Sequence, residues 1–401
     1  MSDGSVRRAL TSSVTAAALG TVAVGGPLSV AVAAPADPDF EAPFSCGQRW
    51  RADTRAEHSP SYYAIDFNRD RDYRAPALMS AAGVVTDVVD LGGSSYGKYV
   101  VVAHGHHWST LYAHLEAQWV VEGQWLDQGQ LVGLVGSSGS STSAHLHVEQ
   151  RLGRVLQHAV FHDRRLIYNS TIRSHNCGDI PLAGDWNGDR RDDVGVFRPR
   201  ADGAVFLLRR RDGTVTRVPF GGTIDRPVTG DWNGDGRTDV GVWSRRRTLF
   251  TLHSSTGTTS RVAFGRVTSE PVTGDWNGDG SSDVGAFVSK TGTFVLRGDG
   301  GSVRRLRFGA RGAIPVTGDW DGDGRDDLGT FDTRTARWRL RSSRTGAVTA
   351  TTVGRAGRLP VPGDWNGDGA DTLGTWSPAR AVFSLRQDTT TLRIPFGARR
   401  R

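Results

Sequence analysis

Cysteine is scarce in this sequence, because the 401 residues include only Cys46 and Cys177. Neither belongs to a CxxC pair, which argues against a zinc site built from cysteine. Outside one apolar stretch near the N-terminus, the chain has no long apolar run, so we expect no stable membrane span. The formal net charge is +7, but the arginines are spread along the chain without a recognition motif. We therefore do not expect nucleic acid as a partner.

Residues 1–36 have the composition of an export signal. Arg7 and Arg8 precede an apolar stretch rich in Ala, Val and Gly that runs to about Ala34 and is followed by small residues. We therefore expect a secreted protein that is extracellular or associated with the cell wall. In such an oxidising compartment the two cysteines most simply form one disulfide with each other.

Three short motifs, far apart in the sequence, supply histidine and aspartate. "HSPSYYAIDFN" contains His58 and Asp66, "TLYAHL" contains His114, and "SAHLHVEQ" contains His145 and His147. Alternate side chains of an extended strand share a face, so the last two histidines point into the same cleft. Two imidazoles and one carboxylate can bind Zn²⁺ and leave a fourth position open for water, which is the layout of a catalytic zinc site.

From about Cys46 to Gln150 the chain resembles the lysostaphin/LytM-type zinc endopeptidases, which cut peptide bonds in bacterial peptidoglycan. The resemblance implies one catalytic zinc ion with three ligands, His58, Asp66 and His147. It also implies two catalytic histidines that do not bind the metal, His114 and His145, and leaves open which is the general base. Compact family members place the carboxylate four positions after the first histidine. Here the spacing is eight, so we interpret the intervening segment as an enlarged loop.

The remaining histidines of this half make weaker candidates. Three of them in "AHGHHW" are a second metal candidate, but their place between two apolar strands favours a turn: His104, His106 and His107. His106 or His107 could border the substrate groove. Three more follow the motifs, and we interpret them as structural or surface residues: His158, His162 and His175.

A repeat begins near Asp179 and continues to the C-terminus. The phrase "GDWNGD" or a close copy occurs five times, at intervals of about 45 residues, a period typical of propeller blades or solenoid units. Alternating β-branched and aromatic residues between glycine turns predict about four short strands per unit. The units resemble FG-GAP or VCBS-type repeats. Five of them could close as a five-bladed propeller, and an open array is the alternative.

Each repeat carries oxygen ligands at the spacing of a calcium-binding loop. In the middle three units, positions 1, 3, 5 and 9 are Asp or Asn and position 6 is Gly, but position 12 lacks the glutamate of an EF-hand. We expect several structural Ca²⁺ ions with these ligands: Asp185, Asn187, Asp189, Asp193, Asp231, Asn233, Asp235, Asp239, Asp275, Asn277, Asp279, Asp283, Asp319, Asp321, Asp323, Asp327, Asp364, Asn366 and Asp368. Arg190 replaces the glycine in the first unit and Thr372 the ninth-position aspartate in the last, which weakens both sites. Without metal these segments would be Asx-rich turns.

The sequence as a whole predicts an all-β protein. We expect a signal peptide over 1–36, a zinc metalloendopeptidase domain built on a small antiparallel sheet over 37–178, and a β-repeat domain over 179–401 that serves targeting or stability. The expected substrate is the peptide stems or bridges of peptidoglycan, and the bond that is cut stays open. Positive charge favours anionic wall polymers as further partners. Two alternatives remain: a secreted protease of Gly-rich proteins, and an adhesion or scaffold protein with an idle peptidase domain.

Overall fold

The computed structural model describes residues 1, 38–387 and 389–399, so the predicted export signal lies, apart from Met1, outside the described residues. The described part of the chain contains β-strands, one 3-10 helix at Asp299–Gly301 and no α-helix. This confirms the nearly all-β fold expected from the sequence. In the same residues, no helix has the length and apolar character that a membrane crossing requires.

The N-terminal region, residues 38–178, contains the first fourteen strands. They are β1 (Arg49–Asp53), β2 (Ile65–Asn68), β3 (Pro76–Leu78), β4 (Gly83–Asp90), β5 (Lys98–Gly105), β6 (Trp108–Ala113), β7 (Leu115–Gln118), β8 (Trp125–Leu126), β9 (Leu131–Val135), β10 (Leu146–Leu152), β11 (Val155–Leu156), β12 (Val160–Phe161), β13 (Arg164–Arg165) and β14 (Ser170–Arg173).

These strands form one large antiparallel sheet and two small ones. The large sheet has the order β14-β1-β2-β10-β6-β5-β4-β8, with β11 paired to β10; β3-β9-β7 form a second sheet, and β12-β13 form a hairpin. Strand alternation sorts the side chains of β10, because Leu146 and Val148 pack into the hydrophobic core while His147 lies on the opposite face. The predicted disulfide is confirmed, since Cys46 and Cys177 are bonded with their Cα atoms 4.9 Å apart.

The repeat region, from Ile180 onward, contains five four-stranded antiparallel sheets, each built from consecutive strands. Unit 1 has β15 (Ile180–Gly184), β16 (Asp193–Arg200), β17 (Gly203–Arg209) and β18 (Val215–Pro219); unit 2 has β19 (Arg226–Gly230), β20 (Asp239–Ser244), β21 (Leu249–His253) and β22 (Thr259–Ala263); unit 3 has β23 (Ser269–Gly274), β24 (Asp283–Val288), β25 (Thr293–Arg297) and β26 (Val303–Arg307); unit 4 has β27 (Ile314–Gly318), β28 (Asp327–Asp332), β29 (Arg337–Arg341) and β30 (Val348–Thr352); unit 5 has β31 (Leu359–Pro360), β32 (Gly374–Ser377), β33 (Val382–Gln387) and β34 (Thr390–Pro395). Four strands per unit agree with the number predicted from the sequence.

Neighbouring units are joined by a repeated pair of hydrogen bonds. Thr238 of unit 2 donates its backbone N–H to the carbonyl of Asp185 in unit 1 (2.8 Å), and its hydroxyl accepts the backbone N–H of Asp185 (2.9 Å). The same pair joins the last unit to the first, where Asp192 contacts the backbone of Asp364 at 2.8 and 3.0 Å. The five sheets are nevertheless separate, so closure as a propeller stays a prediction.

A cavity of about 450 Å³ lies among the first strands of the five units. Gln124 and Trp125 of the N-terminal region also line it, and the half-buried carboxyl groups of three units face it: Asp192, Asp326 and Asp371. Burial, together with the charge of nearby aspartates, raises the pKa of Asp192 to about 8 and that of Asp326 to about 7. None of the histidines from the sequence motifs lines this cavity.

Candidate active site

The register of three neighbouring strands brings the motifs together. Asp66 on β2 pairs with His147 on β10, and His147 pairs on its other side with Ala113 at the end of β6. His114 follows directly after β6, and His145 precedes β10 and forms an isolated bridge with Gly136. The sheet therefore collects at one place residues that the sequence holds far apart.

The Asp66 carboxylate lies at the centre of this group. Its Oδ2 is 3.1 Å from His58 Nε2, and its Oδ1 is 3.0 Å from His147 Nδ1 and 3.5 Å from His145 Nε2. One ligand atom each from His58, Asp66 and His147 lie within 4.8 Å of one another. Two imidazole nitrogens and one carboxylate oxygen at this separation fit a Zn²⁺ ion.

The charge of Asp66 suits a cation site. Burial by itself would raise the pKa of Asp66, but hydrogen bonds with His147 and His58 and the charge of His145 together hold it well below its usual range. The carboxyl group is therefore ionised at neutral pH. Arg55, which is mostly exposed, lies 3.6 Å from Oδ2.

His58 is buried, and its ring is oriented by the backbone. Its Nδ1 lies 3.0 Å from the carbonyl of Ala64 and 3.2 Å from Thr54 Oγ1. A carbonyl oxygen only accepts, so Nδ1 donates a hydrogen bond to it, and Nε2 is the ring nitrogen that faces Asp66. The segment between His58 and Asp66, which we interpreted as an enlarged loop, thus supplies the carbonyl that orients the first histidine.

The structure adds a residue that the sequence analysis missed, Glu149, which is fully buried. Its carboxylate accepts a hydrogen bond from His147 Nε2 (3.1 Å), one from the Tyr96 hydroxyl (2.7 Å) and one from the Arg151 guanidinium. Burial alone would raise the pKa of Glu149, but the hydrogen bonds with His147 and Tyr96 lower it below the ordinary value. A histidine that donates one ring N–H to a carboxylate keeps the other nitrogen free for a metal.

Strand alternation could have identified this carboxylate. Glu149 stands two positions after His147 in β10, and residues at this spacing share a face of the strand. Burial lowers the pKa of His147, but its hydrogen bonds with Asp66 and Glu149 outweigh this and raise it. This ring therefore lies between two carboxylates, one toward the cleft and one behind it.

His114 and His145 lie beside this group with their ring centroids 4.8 Å apart. His114 Nδ1 lies 2.8 Å from the carbonyl of Ser138, and His145 Nδ1 lies 2.9 Å from the carbonyl of Ser143. Burial lowers the pKa of His114 to about 4, so this ring is neutral at physiological pH. With the hydrogen on Nδ1, the Nε2 atom of each neutral ring can accept a proton.

The other histidines of the N-terminal region lie elsewhere. His104 is a structural residue, with Nδ1 2.9 Å from the carbonyl of Ala82 and Nε2 2.8 Å from Thr110 Oγ1. His106 and His107 occupy the two-residue turn between β5 and β6, as predicted. Two of the histidines interpreted as structural or surface residues, His162 and His175, meet at a carboxylate.

The loops predicted to bind calcium have one geometry throughout the repeats. In unit 2, Asp231 Oδ1 accepts the backbone N–H of Gly234 (2.7 Å) and Oδ2 that of Gly236 (2.7 Å). In unit 1, Arg190 adopts a positive φ of 63° where the other units have glycine. In unit 4 three carboxylates have ligand atoms within 4.8 Å of one another: Asp319, Asp321 and Asp327. These groups can hold a hard cation, or they can serve as Asx-rich turns.

Comparison with known proteins finds a family similar to the segment that holds most of these residues. Residues 61–158 match the model of Peptidase family M23. The chain is 44% identical over 85 residues to "DD-carboxypeptidase/endopeptidase Mpg" of Neisseria meningitidis, an alignment that covers 20% of this chain and 19% of that protein. It is 40% identical over 74 residues to "Peptidoglycan DD-endopeptidase ShyA" of Vibrio cholerae, with 18% and 17% covered. The chain thus spans about a fifth of the length of the curated relatives that it matches.

A similar solved structure is the catalytic domain of the prophage-encoded M23 protein EnpA from Enterococcus faecalis. It is 26% identical, covers 29% of this chain and 86% of its own, and has a TM-score of 0.24. The family match begins just after His58 and includes Asp66, His114, His145 and His147. Residues 61–158 are therefore similar to peptidase family M23, a family of metallopeptidases that hydrolyse peptide bonds.

Proposed function

We propose that this protein is a secreted zinc endopeptidase that cuts peptide bonds in bacterial peptidoglycan. One observation carries the proposal: ligand atoms of His58, Asp66 and His147 converge within 4.8 Å, with His114 and His145 beside them. Two histidines that need not bind metal, next to three residues that can, form the set a hydrolytic zinc site requires.

The proposed ligands of the zinc ion are His58 Nε2, His147 Nδ1 and the Asp66 carboxylate. A bound zinc ion supplies Lewis acidity, which activates water and polarises a carbonyl group. With zinc bound, His58 Nε2 and His147 Nδ1 would be unprotonated, because the other ring nitrogens donate to the Ala64 carbonyl and to Glu149. The buried, ionised Asp66 offsets part of the metal charge.

Proton transfer is the proposed role of His114 and His145. The two rings are adjacent and each has an Nε2 that can accept a proton when the ring is neutral. One ring would take a proton from the attacking water at Nε2 and pass it to the leaving amine nitrogen. The other ring, when its Nε2 is protonated, would donate a hydrogen bond to the carbonyl oxygen as negative charge develops there. Both assignments of these roles fit the geometry.

The peptidoglycan substrate rests on the relatives. Two of them are named as a carboxypeptidase/endopeptidase and a peptidoglycan endopeptidase, and the segment that matches the family holds four of the five site residues. We extend this substrate class to the present chain. A cell-wall, periplasmic or extracellular location follows from such a substrate, and the export signal proposed for residues 1–36 is consistent with it.

The architecture proposed for the chain is a peptidase domain over 37–178 and a repeat domain over 179–401. The repeated hydrogen bonds between neighbouring units, and between the last unit and the first, support a ring of five FG-GAP/VCBS-like blades. The carboxylate group of unit 4 supports calcium binding in the loops. We propose that the repeats stabilise the enzyme and hold it on the wall, where anionic polymers would contact its positive charge.

The proposal is tested with purified peptidoglycan and the zinc-loaded protein. Mass analysis of released muropeptides should show newly cleaved stems or bridges for the wild type and for His253→Ala, a histidine control in the repeats, but not for His145→Ala. Cleavage of a Gly-rich protein but not of peptidoglycan would favour a secreted protease instead. Binding to the wall without hydrolysis, with zinc supplied, would favour an adhesion or scaffold protein. Equal products from wild type and His145→Ala would overturn the catalytic assignment.

A further inference from the structure

A second group of metal-binding side chains lies in the N-terminal region, outside the residues assigned to the peptidase site. Ligand atoms of Glu41, His162 and His175 lie within 4.8 Å of one another. His162 Nδ1 is 2.8 Å from Glu41 Oε1, and the two imidazole centroids are 4.4 Å apart. The three residues come from separate segments: the segment before β1, the β12-β13 turn and the segment that leads into Cys177.

Glu41 is held in place and is nearly inaccessible to water. Its backbone N–H donates to the carbonyl of Ser80 (2.8 Å), and the residue is 6% exposed. Burial raises the pKa of Glu41, and its hydrogen bond with His162 counteracts only part of that increase. A buried carboxylate in this position is stabilised by a neighbouring cation.

His162 is fixed by its turn. His162 and Asp163 form the two-residue turn of the β12-β13 hairpin, and both have positive φ angles, 53° and 58°. The backbone N–H of His162 donates to the carbonyl of Phe40 (2.8 Å), next to Glu41. The side chain is 38% exposed, so a dissolved ion can reach it.

His175 is exposed, but the residues on both sides of it are buried and bonded. Ser174 Oγ donates to the carbonyl of Phe44 (2.6 Å), and Asn176 Nδ2 donates to the carbonyl of Met79 (2.9 Å). The disulfide at Cys177 lies two residues further along. Partial burial lowers the pKa of His175, and the neighbouring His162 lowers it further.

We propose that Glu41, His162 and His175 form a second metal site, which binds Zn²⁺ or a similar first-row divalent ion. Two imidazoles and one carboxylate suit such ions, and solvent access leaves a position for water. The backbone contacts place all three residues before any ion arrives, so little ordering is needed on binding. A bound ion would join the segment before β1, the β12-β13 hairpin and the segment before Cys177. Its role is to stabilise the fold, independently of peptide hydrolysis.

The test measures zinc stoichiometry on the full chain, with excess Ca²⁺ to occupy the repeat loops. Equilibrium dialysis followed by elemental analysis should give about two zinc ions for wild type and for His253→Ala, and about one for His162→Ala, His175→Asn and Glu41→Gln. His147→Ala should also keep one, which isolates the second site. Two ions on His162→Ala, or one ion on both the wild type and His162→Ala, would overturn the proposal.

A second readout covers the case in which a variant folds poorly. Zinc should raise the unfolding temperature of His147→Ala, because an ion that binds only the folded state stabilises it. It should not raise the unfolding temperature of the double variant His147→Ala/Glu41→Gln. The peptidase activity of Glu41→Gln, loaded at the first site, should equal that of wild type. A zinc-induced increase in the double variant that equals the increase in His147→Ala would show that Glu41 holds no ion. The metal count requires no hydrolysis, so failure of the peptidase proposal would leave this result readable.

Discussion

Replacing Glu149 by Gln should weaken zinc binding although Glu149 lies behind the proposed ligands. The carboxylate accepts hydrogen bonds from three donors, His147 Nε2, Tyr96 and Arg151. Gln has the same shape but only one acceptor oxygen. If that oxygen stays toward His147, the amide NH₂ faces the Arg151 guanidinium, and if the amide flips, it faces the N–H of His147. Either way a buried donor loses its partner, and His147 loses its charge-assisted bond.

The expected magnitude follows from the role of such partners. Loss of a carboxylate behind a metal-binding histidine costs about 10- to 100-fold in metal affinity, or about 1.4 to 2.7 kcal/mol. Competition with a chromophoric chelator gives the zinc dissociation constant directly. Tyr96→Phe is the matched control, because it removes one hydrogen bond and leaves the charge of Glu149, so its loss should be smaller. A dissociation constant for Glu149→Gln within twofold of wild type, with unchanged unfolding temperature, would refute the reasoning.

Three further predictions concern stability and the repeats. Replacing Cys46 and Cys177 with serine opens a loop with a sequence separation of 131 residues, and it should lower the free energy of unfolding of the N-terminal region by up to about 5 kcal/mol. Urea denaturation measures this loss, and a loss under about 1 kcal/mol would contradict the prediction. Asp327→Ala should remove one calcium ion from the total measured by titration calorimetry, and an unchanged count would show that unit 4 binds none. Burial raises the pKa of Asp326 to about 7, so the folded chain holds this proton more tightly than the unfolded chain, and stability should fall as pH rises from about 4 to 7. Asp326→Asn should reduce that fall by at most about 4 kcal/mol, and by less than this because Asp326 is only half-buried. An unaltered pH profile of thermal unfolding would count against the assignment.

Much of the candidate site could be predicted from the sequence because its residues lie in compact motifs. His145 and His147 stand two positions apart on one strand, a spacing that fixes a shared face whatever the surrounding fold. What the sequence leaves open is the pairing of β2, β10 and β6, which depends on contacts between residues that are distant along the chain. Asp66 meets His147 only through that register.

The residues that sequence reasoning missed fall into two kinds. Strand alternation places Glu149 on the same face as His147, but the sequence alone does not indicate that this glutamate is buried beside a proposed metal ligand. Glu41, His162 and His175 could not be grouped from the sequence, because they meet only through a hairpin turn, the disulfide and hydrogen bonds from the Ser174 and Asn176 side chains to backbone carbonyls of other segments. No spacing along the sequence predicts that these three side chains lie close together.

The repeats were easier to predict because each unit repeats the same local pattern. Aspartates and glycines at fixed positions form the tight loops, and alternating residues form the strands. Arg190 is the exception, since it takes the left-handed conformation that glycine has in the other loops. The hydrogen bonds between units involve position 8 of each repeat, and the sequence analysis did not single out that position.

The central claim is that five side chains act together as one zinc-dependent hydrolytic site. The most direct measurement compares zinc content and the rate of amine release from purified peptidoglycan for wild type, His114→Ala and His145→Ala. Both variants should keep the wild-type zinc content, because neither residue is a proposed ligand, and each should lose at least about 100-fold in rate. A variant that retains its zinc and still hydrolyses peptidoglycan at the wild-type rate would contradict the account.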